Sequence, residues 1–362
     1  MSRPTYDVSV VTTVRDVADA RLHRIVGALA DVGLTVEVLG FGTAEGAPPQ
    51  ASAVRIAPRR GAAGRIASSL ASPWRARGRV VLVLDPDAVP SAWVRRLAGH
   101  PLVVDLSEDY AALLNDRAWA HGLVGALSRW GARASTALAG RADLTVVADT
   151  HVPPMAARNR VVLRNLPYGD YLPPPTAPDP EPRALYIGDL RISRGLFDMI
   201  EAVAAAPGWT LDLVGPVSST EESALTSRLA CDDVRGRVRL HGRRPPREAW
   251  ELARGAWVGF SLLHDTPAFR DAMPSKVFEY LTAGLAVVAS PLPRQAELLT
   301  ASAAGTVVDG PDAATAALRA YVAEPALLEM QRAAAREWAP VEDEEYSRFA
   351  GAVMALARTR GR

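Results

Sequence analysis

The chain has 362 residues, enough for about two domains that each bury a core of their own. It carries 41 lysine and arginine residues against 40 aspartate and glutamate residues, and this balance gives no global reason to expect nucleic-acid binding. Cys231 is the single cysteine, which excludes an internal disulfide and a cysteine metal cluster, and no run approaches the ~20 apolar residues of a membrane span.

The first half of the chain alternates between β-branched apolar runs and helical periodicity. Strands are predicted at 8–14 and 34–41, and the helix predicted at 15–31 between them implies a parallel sheet with a right-handed crossover. Further strands are predicted at 54–58, 80–84, 102–104, 144–148 and 161–163. These elements predict an α/β domain over residues 1–166. No signal-peptide core precedes the first strand, so the cytoplasm is the expected compartment.

Polar side chains follow two of these strands. Asp16 and Arg21 lie where the first strand gives way to a helix, and Asp105, Ser107 and Glu108 follow the strand at 102–104. Ligands collect at the carboxyl ends of parallel strands, which makes Asp16 and Arg21 candidate site residues. The simpler alternative for Asp16 and Arg21 is that they bind no ligand and only cap the helix or add surface charge.

A basic stretch covers residues 59–79. It contains six arginines, and Ile66, Leu70 and Trp74 recur at four-residue steps. Two interpretations stay open. The stretch is either a basic amphipathic segment that makes a peripheral contact with the inner face of the membrane, or a solvated crossover helix, which is the favoured interpretation.

Seven prolines fall within residues 167–182 and predict an extended linker. A second series of strands and helices then covers 183–340. Its strands are predicted at 185–187, 211–214, 238–240, 258–262, 285–289 and 306–308. A last amphipathic helix is predicted at 342–358.

Lys276 is the only lysine of the chain and lies in its most informative segment, residues 274–290. Pro274 and Ser275 predict a helix start, and one helical turn places Lys276 and Glu279 on the same face near the positive end of the helix dipole. Such a pair can hold an anion with the lysine and a hydroxyl with the glutamate. The alternative is a solvated ion pair with no ligand.

A glycine-bounded loop, residues 188–195, follows the first strand of the second series. Gly188 lets the backbone approach a ligand, and Arg191 and Arg194 supply forked donors suited to phosphate oxygens. Gly242 and Arg243 likewise come shortly after a predicted strand, the one at 238–240. The six histidines show no metal-ligand spacing, and no metal site is predicted.

Together the loop 188–195 and the segment 274–290 resemble the retaining GT-B glycosyltransferases of family 4, also called glycosyl transferases group 1. The resemblance covers nearly the whole chain. It implies two Rossmann-like domains whose parallel sheets face a central cleft, with the helix at 342–358 packed back on the first domain. It implies an acceptor-side domain at 1–166 and a donor-binding domain at 183–340.

The resemblance also implies roles for single residues. Glu279 would bind the ribose of a nucleotide sugar, while Lys276, Arg194 and Arg191 would act on the diphosphate. The other implied donor contacts are Gly188, Asp271, Ser275, Gly242 and Arg243. The implied acceptor-side residues are Asp16, Arg21, Asp105, Ser107 and Glu108. The chain departs from the family pattern at Asp189, at Ser107 and at Asp271, and it lacks the glycine pair of the first loop.

The implied function is transfer of a sugar, with retention, from a UDP- or GDP-sugar to a hydroxyl of a glycan, a lipid-linked acceptor or a small molecule. No cofactor beyond the nucleotide sugar and no metal is expected. A nucleotide-sugar epimerase on the same fold would carry histidine acid/base groups in its cleft. Ser107 stands where the family has a histidine, and it therefore argues against an epimerase. The second hypothesis, a non-catalytic nucleotide-sugar-binding or scaffold protein, is motivated by the three departures.

Overall fold

The computed structural model describes residues 5–58, 61–114, 120, 122–167, 171–338 and 344–359. Residues 1–4, 59–60, 115–119, 121, 168–170, 339–343 and 360–362 lie outside the described residues. The chain divides into two compact units, Met1–Tyr168 with Val341–Arg362, and Gly169–Pro340.

The first unit is built on a seven-stranded sheet in the order β3-β2-β1-β4-β5-β6-β7, and every pair is parallel. The prediction of a parallel sheet is confirmed. The strands are β1 (Tyr6–Asp16), β2 (Val36–Phe41), β3 (Ala53–Ile56), β4 (Gly78–Val83), β5 (Leu102–Leu106), β6 (Leu144–Val147) and β7 (Arg160–Val162). Most of their residues are buried because helices cover both faces of the sheet.

Two helix layers enclose this sheet. One face carries α1 (Ala20–Asp31) and α13 (Glu344–Arg358), whose Leu22 and Phe349 pack against Val80 and Leu82. The other face carries α2 (Ala62–Arg75), α3 (Val89–Leu97), α4 (Tyr110–Leu113) and α5 (Gly122–Ala139). Alternate residues of β4 point to opposite faces, so Val81 and Val83 belong to the second core.

The second unit has a six-stranded parallel sheet in the order β10-β9-β8-β11-β12-β13. Its strands are β8 (Arg183–Ile187), β9 (Thr210–Val214), β10 (Val238–Gly242), β11 (Val258–Ser261), β12 (Ala286–Ala289) and β13 (Gly305–Val307). Its helices are α6 (Leu196–Ala205), α7 (Glu222–Leu229), α8 (Pro246–Glu251), α9 (Ser275–Thr282), α10 (Pro293–Ser302), α11 (Gly310–Ala323) and α12 (Pro325–Glu337).

The strand order reverses between β8 and β11. The chain winds outward through β9 and β10 on one side of β8, and through β12 and β13 on the other side of β11. Loops after strands on either side of such a switch point diverge and leave room for a ligand. The loop after β8 and the segment that leads from β11 into α9 are therefore the natural site of the second unit.

The proline-rich segment is held along the second unit. Arg332 donates to the Thr176 carbonyl oxygen at 2.6 Å, and the Trp257 indole donates to the Asp179 carbonyl oxygen at 2.7 Å. The described residues 171–182 form no helix or strand, yet these bonds fix their course.

Candidate functional site

Two glycines bring backbone segments together at the switch point. Gly188 has φ +147° and Gly215 has φ +144°, a region that favours glycine. A Cβ on Gly215 would lie 1.9 Å from the Gly188 carbonyl oxygen. The Gly188 amide donates to the Val214 carbonyl oxygen at 2.9 Å, which ties the loop to the end of β9. The two glycines therefore set the path of the loop after β8.

The rest of this loop is fixed against the end of β11. Residues Ile192–Arg194 form a 3-10 turn, and Gly195, at φ +76°, leads into α6. A Cβ on Gly195 would lie 2.1 Å from the Leu262 carbonyl oxygen, and the His264 amide donates to the Ser193 carbonyl oxygen at 3.0 Å. These contacts on both sides of Arg194 fix the position of its backbone.

Lys276 is buried although it carries an ammonium group. It is the second residue of α9, its exposed fraction is 6%, and its Nζ has no hydrogen-bond partner among the described residues. Nζ lies 4.0 Å from the centre of the Tyr186 ring and 3.1 Å from the point where a Cβ on Gly188 would stand. Burial, and next the Arg194 charge, lower the pKa of Lys276 well below its ordinary 10.5. The charges of Asp189 and Glu279 act in the opposite direction, but no described group forms a hydrogen bond with this buried amine.

A second cation stands beside it. The Arg194 guanidinium lies 5.3 Å from the centre of the Phe269 ring, and its charge acts on Tyr186, whose hydroxyl donates to the Asp189 carbonyl oxygen at 3.0 Å. Burial raises the pKa of Tyr186 to about 12, against the effect of the Arg194 charge, so the phenol stays neutral. Two positive side chains thus converge on one neutral ring, and an anion between them would relieve their repulsion.

Glu279 lies one turn further along α9 and is also buried, with an exposed fraction of 4%. Its Oε1 accepts a hydrogen bond from the Tyr171 hydroxyl at 2.7 Å. Because Lys276 and Glu279 are both buried, the alternative of a solvated ion pair does not apply. Tyr171 was missed from the sequence because it lies in the segment expected to be a linker.

The remaining donor-side candidates are more exposed. Asp271 and Arg243 are exposed loop residues, and Ser275 is half-buried as the first residue of α9. Gly242 ends β10 at φ +67°, and its carbonyl oxygen accepts from the Gly215 amide at 2.9 Å. The structure therefore brings Gly188, Arg194, Lys276 and Glu279 together, while Gly242 is joined to this group through Gly215.

Arg191 has an internal partner. Its Nε lies 3.7 Å from the Asp189 carboxylate, and both side chains are partly exposed. The aspartate that departs from the family pattern thus neutralises part of the nearest arginine.

In the first unit, Arg21 and Asp105 form a buried ion pair. The guanidinium donates to both carboxylate oxygens, at 2.7 Å from Nε and 2.6 Å from Nη2, and to the Leu163 carbonyl oxygen at 2.9 Å. Their exposed fractions are 3% and 0%. Both side chains turn inward and connect α1 to the ends of β5 and β7, whereas Ser107 and Glu108 remain partly exposed.

The carboxyl-terminal end of β1 has a carboxylate partner within the unit. The Asp85 carboxylate accepts from the backbone amides of Thr13 at 2.7 Å and Val14 at 3.0 Å, and it pairs with Arg15 at 3.4 Å. Arg15 also donates to Ser107. The amides that a glycine-rich loop would offer to a phosphate are thus occupied. Sequence reasoning missed Arg15 and Asp85, although both follow predicted strands.

Asp16 belongs to the same edge. It is partly exposed, and its Oδ1 accepts from the Ala18 amide at 3.0 Å. A Cβ on Gly42 would lie 2.4 Å from that oxygen, so the carboxylate fills the space beside β2.

Other polar clusters are paired internally. His241 lies 2.7 Å from the Asp212 carboxylate and His264 lies 2.7 Å from that of Asp198. Within the described ranges, no group of three or more His, Cys, Asp or Glu side chains is placed to hold a metal ion. None of the described helices is long and apolar enough to cross a membrane.

The burial of Lys276 leads to a stability prediction. We expect Lys276→Met to raise the free energy of unfolding at neutral pH by about 1–3 kcal/mol, because it removes a buried amine that has no hydrogen-bond partner among the described residues. Between the lowered pKa of the folded chain and 10.5, the unfolded chain binds a proton that the folded chain does not. The stability of the unsubstituted protein therefore rises with pH across that window, and the advantage of the variant shrinks.

Urea unfolding at a series of pH values measures this difference. Arg191→Met, at a partly exposed arginine, is the control and should change stability by less than about 0.5 kcal/mol at every pH. If Lys276→Met were less stable than the unsubstituted chain at every pH, favourable interactions of the ammonium would outweigh the cost of burying it.

Solved structures resemble the chain over nearly its full length. A sucrose-phosphate synthase from Thermosynechococcus elongatus has a TM-score of 0.68 at 15% identity, covering 97% of this chain and 96% of that one. WaaG, a glycosyltransferase involved in lipopolysaccharide biosynthesis, has a TM-score of 0.63 at 17% identity, covering 97% and 100%. HepE from Anabaena in complex with UDP and glucose has a TM-score of 0.65 at 15% identity, covering 98% and 97%.

Sequence matches concentrate on the second unit. No curated protein sequence matches the chain. Residues 171–338 match the family model of glycosyl transferases group 1, and this range contains the loop 188–195, Lys276 and Glu279. The chain thus has the GT-B fold, with two parallel-sheet α/β units, and its second unit matches the glycosyl transferases group 1 family.

Proposed function

We propose that the protein is a glycosyltransferase that moves a sugar from a nucleotide diphosphate to an acceptor hydroxyl with retention at the anomeric carbon. The observation that carries the proposal is the buried Lys276 ammonium, which has no hydrogen-bond partner among the described residues and lies beside Gly188 and near Arg194. The family match of residues 171–338 and the likeness to HepE, which was solved with UDP-glucose, support it.

The donor would bind through three features of the second unit. Its diphosphate would lie against the Gly188 backbone, where Lys276 and Arg194 supply two charges and the amino-terminal end of α9 a favourable dipole. Glu279 would accept hydrogen bonds from ribose hydroxyls, with its orientation set by Tyr171. Ser275, Asp271, Gly242 and Arg243 are proposed as the surrounding donor contacts.

The transfer would proceed on one face of the sugar. The bond between the anomeric carbon and the diphosphate oxygen breaks, and the acceptor oxygen forms its bond to the same face. The acceptor proton passes to the departing phosphate oxygen, so no protein nucleophile is used. Lys276, Arg194 and Arg191 would stabilise the charge that develops on the diphosphate.

We propose that the acceptor binds to polar groups of the first unit. Asp16, Ser107 and Glu108 are its partly exposed polar groups at the carboxyl edge of the sheet, and the buried Arg21–Asp105 pair would position the loops that carry them. A glycan, a lipid-linked sugar or a small molecule would supply the hydroxyl, with the cytoplasm as the compartment.

The decisive experiment incubates the protein with a panel of UDP- and GDP-sugars and candidate acceptors. We expect one donor to give calorimetric binding and acceptor-dependent release of nucleoside diphosphate. The anomeric coupling constant of the product, measured by NMR, tests retention. Tight donor binding without turnover, once an acceptor with an exposed hydroxyl is supplied from each class, would favour a non-catalytic nucleotide-sugar-binding protein.

Glu279→Ala should weaken donor binding at least tenfold. A hydrogen bond to a charged group contributes roughly 1.5–3 kcal/mol, and the ribose would lose this acceptor. Isothermal calorimetry measures the effect, with Glu297→Ala, which removes an exposed carboxylate of α10, as the control that should bind normally. An unchanged donor dissociation constant in Glu279→Ala would refute the ribose assignment.

A further inference from the structure

Large apolar side chains are exposed along one helix layer of the first unit. Of the 17 large hydrophobic residues that are exposed in the described part of the chain, nine lie on α2, α3 and α5. We call them the three-helix surface: Ile66, Leu70, Trp74, Val94, Leu97, Leu123, Val124, Leu127 and Trp130. Concentration of this kind marks an interaction surface, whereas scattered apolar residues do not.

The three helices form a continuous layer. The Ser91 hydroxyl of α3 donates to the Leu70 carbonyl oxygen of α2 at 2.6 Å, and Arg95 donates to the Pro73 carbonyl oxygen. Ala92 of α3 and Ala139 of α5 pack into the same core against β4 and β5. The apolar side chains thus belong to one face of the unit.

The charge of this layer has one sign. Helices α2, α3 and α5 contain six arginines and no aspartate or glutamate, in a chain whose acids and bases are otherwise balanced. Arg65, Arg75 and Arg133 are exposed, and none of them forms an ion pair with a described residue. An apolar surface with unpaired arginines is complementary to anionic lipid headgroups over acyl chains.

We propose that the three-helix surface docks the protein peripherally on an anionic lipid bilayer. Leu127 and Trp130 of α5 would enter the headgroup–acyl boundary, while Arg65, Arg75 and Arg133 would lie at the level of the phosphates. The indole of Trp130 suits this boundary because one edge is polar and its body is apolar. The basic stretch at 59–79 supplies only part of the surface, since α5 carries its most exposed residues.

A second copy of the chain is a poorer occupant. A two-fold interface sets the same patch against itself, so the arginines of one copy would face those of the other without any acidic residue from these helices. Like charges placed together at an interface oppose association. The charge pattern therefore favours lipid over self-association.

Vesicle co-sedimentation of the full chain tests the proposal. We expect binding to vesicles of equal parts phosphatidylcholine and phosphatidylglycerol, weak binding to phosphatidylcholine alone, and release by high salt. The double variant Leu127→Glu with Trp130→Glu should lower the partition coefficient at least about tenfold, and Arg133→Ser about fivefold. Met330→Glu, at an exposed apolar residue of α12 in the second unit, is the matched control and should bind normally.

Two results would overturn the proposal. One is equal binding of the unsubstituted chain and the Leu127/Trp130 double variant to anionic vesicles. The other is a concentration-dependent dimer in sedimentation velocity that the double variant abolishes, which would identify a protein interface. Donor binding in solution uses residues of the second unit, so its success or failure reports separately on the proposed function.

Discussion

Lys276→Ala is expected to lower the turnover number by about 10²–10³-fold at saturating donor, and to weaken donor binding by a smaller factor. The reason is the position of the ammonium: it is buried beside the Gly188 backbone, and no hydrogen bond to a described residue restrains it. Charge that grows on a leaving diphosphate would be neutralised most strongly by such a group, because little water screens it.

Lys276→Arg should not restore the rate. Nζ already lies 3.1 Å from the point where a Cβ on Gly188 would stand and 4.0 Å from the Tyr186 ring centre, so the wider planar guanidinium cannot occupy the same position. Steady-state kinetics with saturating donor measures this. Wild-type turnover in Lys276→Arg would show that any fixed positive charge suffices and would end the assignment of a specific role to the lysine.

Arg194→Ala and Arg191→Ala should lower turnover in the same direction. When either substitution is combined with Lys276→Ala, the turnover number should fall by less than the two single effects predict together. The reason is that all three side chains would act on one diphosphate. Arg191 should have the smaller effect because Asp189 neutralises part of its charge.

Gly215→Ala is expected to destabilise the protein by about 3 kcal/mol or more, through positive-φ strain and overpacking together. Its φ of +144° disfavours any side chain, and the new Cβ would lie 1.9 Å from the Gly188 carbonyl oxygen. Relief of the clash must move the Gly188 backbone, which lies beside Lys276, so donor binding should weaken as well.

Gly208→Ala is the matched control for that variant. Gly208 also has a positive φ, of +81°, but a Cβ there meets no atom within 4 Å. Its cost should be about 1–2 kcal/mol with unchanged donor binding. Urea unfolding measures the stability of the two variants, and calorimetry measures their donor binding. An equal loss of stability in both would mean that the backbone near Gly215 and Gly188 relaxes to accommodate the new methyl group.

Much of the fold was predictable because local patterns decide it. Runs such as residues 80–84 and 285–289 are apolar throughout, as buried parallel strands require, and the strand order then follows from crossovers of one hand. The loop 188–195 and the start of α9 were predictable for the same reason, since glycine, proline and serine mark turns and helix starts locally.

The rest of the site depends on contacts between distant residues. Tyr171 donates to Glu279, which lies 108 positions away, and Asp85 accepts from Thr13 near the end of β1, 72 positions away. Neither partner carries a local signal, and the proline content around Tyr171 pointed to a linker. Arg21 was identified from its place after a strand and Asp105 from the family resemblance, but only the structure reveals that the two side chains pair with each other.

The ammonium of Lys276 also bears on how selection acts on this chain. If the charge lowers the stability of the ligand-free protein, a neutral residue at position 276 would be favoured in any lineage that no longer needs an anion there. A protein that had lost its ligand would therefore tend to shed this lysine among its first changes. A lysine at this one position, among arginines everywhere else, is what continued use of the site would leave behind.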